Sequence, residues 1–245
     1  MTETRVVARF LPRRALVRTA VTAVLLAAVA GCSPAADDAA PAAPTSALPS
    51  GPAPETSDPA TPRTFLAVGD SITAGATDVA QPLVGDRVQG DASWLPAAEQ
   101  ESGWDLVDGW AVPGATTADM LAGVEPTDWT ADVLVVMAGT NDLARGLPWG
   151  ESAAHIEGIV AAAGAPTTVV VAIAPSDPRP AARNGYNAAL AGLAGANGWT
   201  YLDPWDEVDA GGSFAPGASP DGVHPTPAVA ADVGSRIGRS LAALD

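Results

Sequence analysis

The stretch TFLAVGDSIT, residues 64–73, decides how the chain is read. Its first five residues form an uninterrupted apolar run, the pattern of a strand covered on both faces. Gly69 ends the run, and a turn signal follows at once. Two further runs repeat the design: DVLVVMA at 132–138 closes on Gly139, and TTVVVAIA at 167–174 closes on Pro175. Weaker strands are expected at 105–112 and 199–202. Helical patterns fill the intervals, at 93–101, 117–123, 151–163, 179–196 and 225–244. This alternation predicts an α/β fold, a three-layer α/β/α sandwich around a parallel sheet of about five strands.

Outward from this domain, composition changes abruptly near residue 63. Residues 33–62 are almost wholly Ala, Pro, Ser, Thr, Gly and Asp, with eight Pro and no aromatic residue. Such a segment cannot bury enough apolar surface to fold, and it reads as a tether. Fully extended, it would reach roughly 90 Å. Ahead of it, Arg5, Arg9, Arg13, Arg14 and Arg18 precede an apolar run at 19–30 that stops at Gly31-Cys32. That is the three-part pattern of an export signal, and the run is shorter than the roughly 20 residues a membrane span needs. An ordinary signal with a chance Cys is the plainer reading. Val29-Ala30-Gly31-Cys32 resembles a bacterial lipoprotein signal, in which the Cys becomes the lipidated first residue. The expected organisation is a lipoprotein-type signal peptide at 1–31, lipidated Cys32 with a disordered tether at 32–62, and a catalytic domain at 63–245. The expected location is the outer face of a bacterial cell membrane, tethered by lipid or released.

The chain has 28 Asp and Glu against 12 basic residues, all Arg. Nucleic acid is thereby disfavoured as a partner, because phosphate binding needs a basic stripe. Cys32 is the only cysteine, which excludes an internal disulfide framework and a Cys-rich zinc site.

Residues with chemical potential gather at the carboxyl ends of the expected strands, where ligands bind in open α/β sheets. Ser71 follows the first, at a strand-to-helix turn with the field of a helix N-terminus near its hydroxyl. An N-capping loop would use the same residue types. Asn141 follows the third in Gly139-Thr140-Asn141-Asp142 and can aim an amide at a developing oxyanion; an Asx-turn is the alternative. Gly114, in Val112-Pro113-Gly114-Ala115, lets backbone approach a ligand or simply makes a turn. Pro113 restricts Val112 to extended backbone. Near the C-terminus, Asp221-Gly222-Val223-His224 offers a near-neutral base with a carboxylate three residues before it. The other histidine, His155, falls inside a helical stretch, where a surface or half-buried role is more natural.

Together these segments resemble the SGNH hydrolases, also called GDSL esterases and lipases, over nearly all of residues 63–244. The resemblance implies a flavodoxin-like SGNH hydrolase fold and a serine esterase acting on short-chain acyl, acetylated carbohydrate or lysolipid esters. It implies Ser71 as nucleophile, His224 as base and Asp221 as its orienting carboxylate. It implies Ser71, Gly114 and Asn141 as oxyanion donors, with no metal and no cofactor. Ile72 stands where the family tag has Leu. A non-catalytic envelope-binding lipoprotein on the same fold is the alternative. A phosphate loop at 69–76 is weaker still, since the glycine spacing and the Lys of such loops are missing.

Other features have plainer readings. Trp149 either lines the mouth of the site or anchors a loop. The connection 74–92 either sets specificity or is a surface insertion. Asp203, Asp206, Glu207 and Asp209 read as a solvated turn, lacking calcium-loop spacing.

Overall fold

The computed structural model describes residues 63–75, 90–124 and 128–244. The signal segment, Cys32, the tether and most of the 74–92 connection lie outside these residues. Within them, β1 (Thr64–Gly69), β2 (Asp105–Ala111), β3 (Val133–Met137), β4 (Thr167–Val171) and β5 (Thr200–Leu202) form one parallel sheet, ordered β2-β1-β3-β4-β5. This is the expected sheet, with every strand end placed within a few residues of its sequence signal.

Strand alternation sorts the apolar runs between two cores. Phe65, Ala67, Val133, Val135, Met137, Val169 and Val171 face one way, onto α2 (Leu95–Ser102) and α7 (Pro227–Ala242). Leu66, Val68, Leu134, Val136 and Val170 face the other, onto α3 (Thr117–Val124), α5 (Trp149–Ala163) and α6 (Pro180–Asn197). Each fully buried side chain of this size contributes about 1.5–3 kcal/mol. Two opposed faces explain why the runs are continuous rather than alternating.

The helix α7 starts two residues later than expected. Thr226 is its N-cap, its hydroxyl accepting the Val229 N–H at 3.4 Å, and Pro227 takes the first helical position. Gly234 and Gly238 turn toward α2, where added Cβ atoms would stand 2.2 Å from the Trp94 carbonyl and 2.7 Å from that of Ala98.

Short elements escape periodic reading. The helices α1 (Ser71–Ala74) and α4 (Thr140–Arg145) open directly from the ends of β1 and β3, and β6 (Asp209–Ala210) pairs antiparallel with β7 (Ser213–Phe214). The acidic turn at 203–209 is the expected solvated one, with Asp203, Asp206 and Glu207 exposed, and two arginines offset part of its charge. Arg236 pairs with Asp206 and Glu207, and the buried Arg183 pairs with Asp209 at 2.5 Å.

Candidate active site

Sequence and geometry converge first at the end of β1. Asp70 is fully buried and caps α1, its carboxylate accepting the Ile72 N–H at 3.0 Å. That cap fixes the turn that presents Ser71, which is 7% exposed. Ser71 Oγ lies 2.8 Å from His224 Nε2, across 153 residues of chain. On the other side of the ring, His224 Nδ1 lies 2.7 Å from Asp221 Oδ2.

The short segment from Asp221 to His224 is shaped by its own carboxylate. Asp221 Oδ1 accepts the main-chain N–H groups of Val223 at 2.9 Å and His224 at 2.8 Å, an Asx-type turn. Burial pushes the Asp221 carboxyl up, but hydrogen bonds from the His224 N–H, the His224 ring and the Val223 N–H outweigh it and hold it at about 2. An ionised carboxylate only accepts, so Nδ1 carries the proton, and in the neutral ring Nε2 is left to accept the Ser71 hydroxyl. Such a relay can draw the Ser71 proton away as its oxygen attacks an acyl carbon.

The Gly114 and Asn141 segments are joined by cross-links between them. Ala115 donates its N–H to the Val112 carbonyl at 3.1 Å, and Gly114 has φ +78°. Pro at the second place and positive-φ Gly at the third mark a type II turn. Pro113 is therefore part of the turn's design rather than an obstacle to it. Asn141 Nδ2 donates to the Ala115 carbonyl at 2.9 Å and reaches Asp70 Oδ2 at 3.4 Å. Arg145 Nη2 donates to the Gly114 carbonyl at 2.7 Å. Ser71, His224 and Asp221 thus meet directly, Asn141 joins them through Asp70, and Gly114 stands beside the residue Asn141 holds.

Three acidic residues that sequence reasoning gave no role support this frame. Burial raises the Asp70 carboxyl to about 6, against the lowering effects of the Ile72 N–H, Thr140 and His224; the charge of Asp142 adds to the rise. Asp142, 1% exposed, accepts the Thr117 N–H at 2.9 Å, the Thr117 hydroxyl at 2.6 Å and the Ser152 hydroxyl at 2.8 Å. Asp177 accepts the Phe214 N–H at 2.8 Å. Asp142 lay within a quoted motif, but Asp177 carried no signal in the sequence.

Other expectations resolve simply. His155 is half-buried and lies 3.1 Å from the Thr117 hydroxyl, away from Ser71. A cavity of about 370 Å³ adjoins Ser71, walled by Ile72, Ala92, Pro220, Pro225 and Pro227. Trp149 lines a different cleft, where it opens α5 and packs edge-on to Tyr186 of α6 with centroids 5.0 Å apart. Among the described residues, no group of three or more His, Cys, Asp and Glu side chains is placed to hold a metal, and no helix is long and apolar enough to cross a membrane.

Comparison with known proteins bears on the fold and the family. No curated protein matches the chain. Among solved structures, a lipase/acylhydrolase from Enterococcus faecalis is 19% identical with TM-score 0.59, covering 74% of this chain and 96% of its own. A GDSL-like lipase from Bacteroides thetaiotaomicron is 18% identical with TM-score 0.58, covering 75% and 89%. A family 3 carbohydrate esterase from Clostridium thermocellum is 17% identical with TM-score 0.54, covering 74% and 100%. At such identities the likeness is one of fold. The profile of the GDSL-like lipase/acylhydrolase family matches residues 67–231, the span that holds the end of β1, Ser71, the Gly114 and Asn141 loops and His224. The chain therefore belongs to the GDSL-like lipase/acylhydrolase family of ester-hydrolysing enzymes.

Proposed function

We propose that this enzyme hydrolyses carboxylic esters through an acyl-enzyme on Ser71, with His224 as general base and then general acid and Asp221 as its orienting carboxylate. The observation that carries the reading is the unbroken pair of contacts, 2.8 Å from Ser71 Oγ to His224 Nε2 and 2.7 Å from His224 Nδ1 to Asp221 Oδ2. In the first half-reaction Ser71 Oγ bonds to the acyl carbon, its proton passes to Nε2, and that proton then goes to the departing alkoxide. In the second half, water gives up a proton to Nε2 as it attacks the acyl-enzyme, and Ser71 leaves with that proton.

The negative oxygen of each tetrahedral state needs donors. The Ser71 and Gly114 N–H groups and the Asn141 amide supply them, each of the order of 2.7–4 kcal/mol by analogy with a single oxyanion-hole donor. The 3.4 Å contact from Asn141 to Asp70 is long enough for an anionic ester oxygen to replace it.

Acyl length and alcohol are open among short-chain acyl esters, acetylated carbohydrate and lysolipid; the carbohydrate esterase similar in fold keeps the second of these in view. Lipidation at Cys32, with the domain held off a membrane on the 32–62 tether, completes the proposal. Its test is a series of p-nitrophenyl esters of graded length against wild type and Ser71→Ala. Ser71-dependent hydrolysis with a length optimum supports the mechanism, and equal rates in both proteins refute it.

A further inference from the structure

Six arginines fall among the described residues, and their partners divide them. Arg183, Arg236 and Arg239 each lie within ion-pair distance of carboxylates, and Arg63 lies over the Trp104 ring. Arg145 and Arg179 differ. Both are exposed, both sit at the carboxyl end of the sheet, and among the described residues neither has a carboxylate within 4.0 Å. Their hydrogen bonds go to main-chain carbonyls, Arg145 to Gly114 at 2.7 Å and Arg179 to Ala144 at 3.1 Å.

Arg145 ends α4, the helix that carries Asn141, and Arg179 bonds to the carbonyl of Ala144 in the same helix. Arg179 lines a small cleft with Thr140 and Val223, the residue before His224. The nearby carboxylates bind main-chain and hydroxyl donors, Asp119 the Thr116 N–H and hydroxyl and Asp177 the Phe214 N–H, and Arg145 acts on Asp119 only as a charge beyond ion-pair distance. Among the described residues, the cavity on the Pro220 and Pro227 side of Ser71 has no arginine in its wall. A chain of net charge −16 repels anions at long range. Two arginines at the rim of its active site, with no carboxylate within 4.0 Å among the described residues, run against that charge.

Resting on the esterase reading, we infer that the preferred ester carries an anionic group, a carboxylate or phosphate, which Arg179 and Arg145 hold on the Asn141 side of the scissile bond. A guanidinium presents a planar fork of donors that matches both groups, and one carbonyl contact leaves most of its N–H groups available. The opposite side of Ser71 takes the uncharged remainder.

The test compares matched ester pairs by kcat/KM. p-Nitrophenyl hemisuccinate against p-nitrophenyl butyrate places the charge on the acyl half. Butyrylglycerol phosphate against monobutyrylglycerol places it on the alcohol half. Wild type should prefer the anionic member of one pair by roughly fivefold or more, a scale set by exposed charge pairs. Arg179→Gln should remove most of that preference and Arg179→Lys should keep part of it, which a merely structural role for Arg179 would not produce. The wild-type preference should also shrink as salt rises from about 0.02 to 0.5 M, a readout that needs no variant to fold. No preference in either pair, or one indifferent to Arg179→Gln and to salt, overturns the inference while leaving the esterase reading intact. Absence of hydrolysis of all four esters removes the esterase reading, and this inference with it.

Discussion

Asp177 donates its main-chain N–H to the carbonyl of Gly222 at 2.9 Å, so the loop that ends in His224 is fastened to the segment following β4. Gly222 has φ +78°, and an added Cβ would stand 2.7 Å from Asp177 Oδ2 and 2.9 Å from its Cγ. Gly222→Ala combines left-handed strain of about 1–2 kcal/mol with that clash. The loop must shift, and His224 shifts with it. The expected result is a loss in kcat/KM of at least about tenfold at unchanged secondary structure, since a displacement near 1 Å costs up to about a hundredfold. Ester assays beside circular dichroism check it, and an Ala variant with wild-type kcat/KM contradicts the fastening.

Asp221→Asn keeps the shape of the turn but removes the charge that fixes the proton on His224 Nδ1. A fall in kcat of about 10³–10⁴ with little change in KM follows by analogy with the same exchange in another serine hydrolase. The acid side gives a second readout. The folded value near 2 lies below the ordinary 3.8, so the stability this carboxylate contributes is complete above about pH 4 and is lost as pH falls through 2. Acid unfolding of Asp221→Asn should consequently begin at higher pH than that of wild type, and coincident acid transitions would count against this account.

Asp70 behaves in the opposite sense. Its folded value of about 6 exceeds 3.8, so between those values the folded protein keeps a proton that the unfolded chain has released. Stability therefore declines as pH rises through this window, by roughly 3 kcal/mol for a group so deeply buried. Asp70→Asn has nothing to ionise. Urea unfolding at pH 4 and pH 7.5 should show the stability of Asp70→Asn, relative to wild type, moving in its favour by about 2–3 kcal/mol at the higher pH. A difference that stays constant between the two pH values rejects a buried, titrating Asp70.

The contrast between these two aspartates shows what the sequence could tell. The apolar runs at β1, β3 and β4 announced a doubly covered sheet because both faces of each strand are buried, and the turn residues after them marked where chemistry gathers. His224 and Asp221 were legible because they share one turn and the alternative histidine lay in a helix. Asp70 carried no role in the sequence, where nothing marks that its side chain, bonded to the Ile72 N–H and close to Asn141, is fully buried. The link from Asp177 to Gly222 joins residues 45 positions apart through main-chain atoms, and main-chain partners leave no mark on residue type. Two-residue strands such as β6 and β7 carry too few positions for any period to register.

Asn141 and Asp142 are neighbours with separable duties, and the pair permits a sharp prediction. Asn141 is partly exposed and its amide donates to Ala115 at 2.9 Å. Asn141→Ala should lower kcat by about 10²–10³ through lost oxyanion stabilisation, while unfolding free energy falls by only about 1 kcal/mol, the worth of one hydrogen bond. Asp142 touches no reacting atom but satisfies the Thr117 N–H, the Thr117 hydroxyl and the Ser152 hydroxyl in a buried place. Asp142→Ala leaves those donors stranded at about 1–3 kcal/mol each, so a stability loss of roughly 3 kcal/mol or more is expected. Its activity should fall mainly because α4 loses its hold on Thr117, leaving only the Asn141 and Arg145 contacts to tie the Gly114 loop to α4. Denaturant unfolding and ester kinetics on the two variants separate the roles, and similar stability losses in both would show that Asn141 is a structural residue rather than an oxyanion donor.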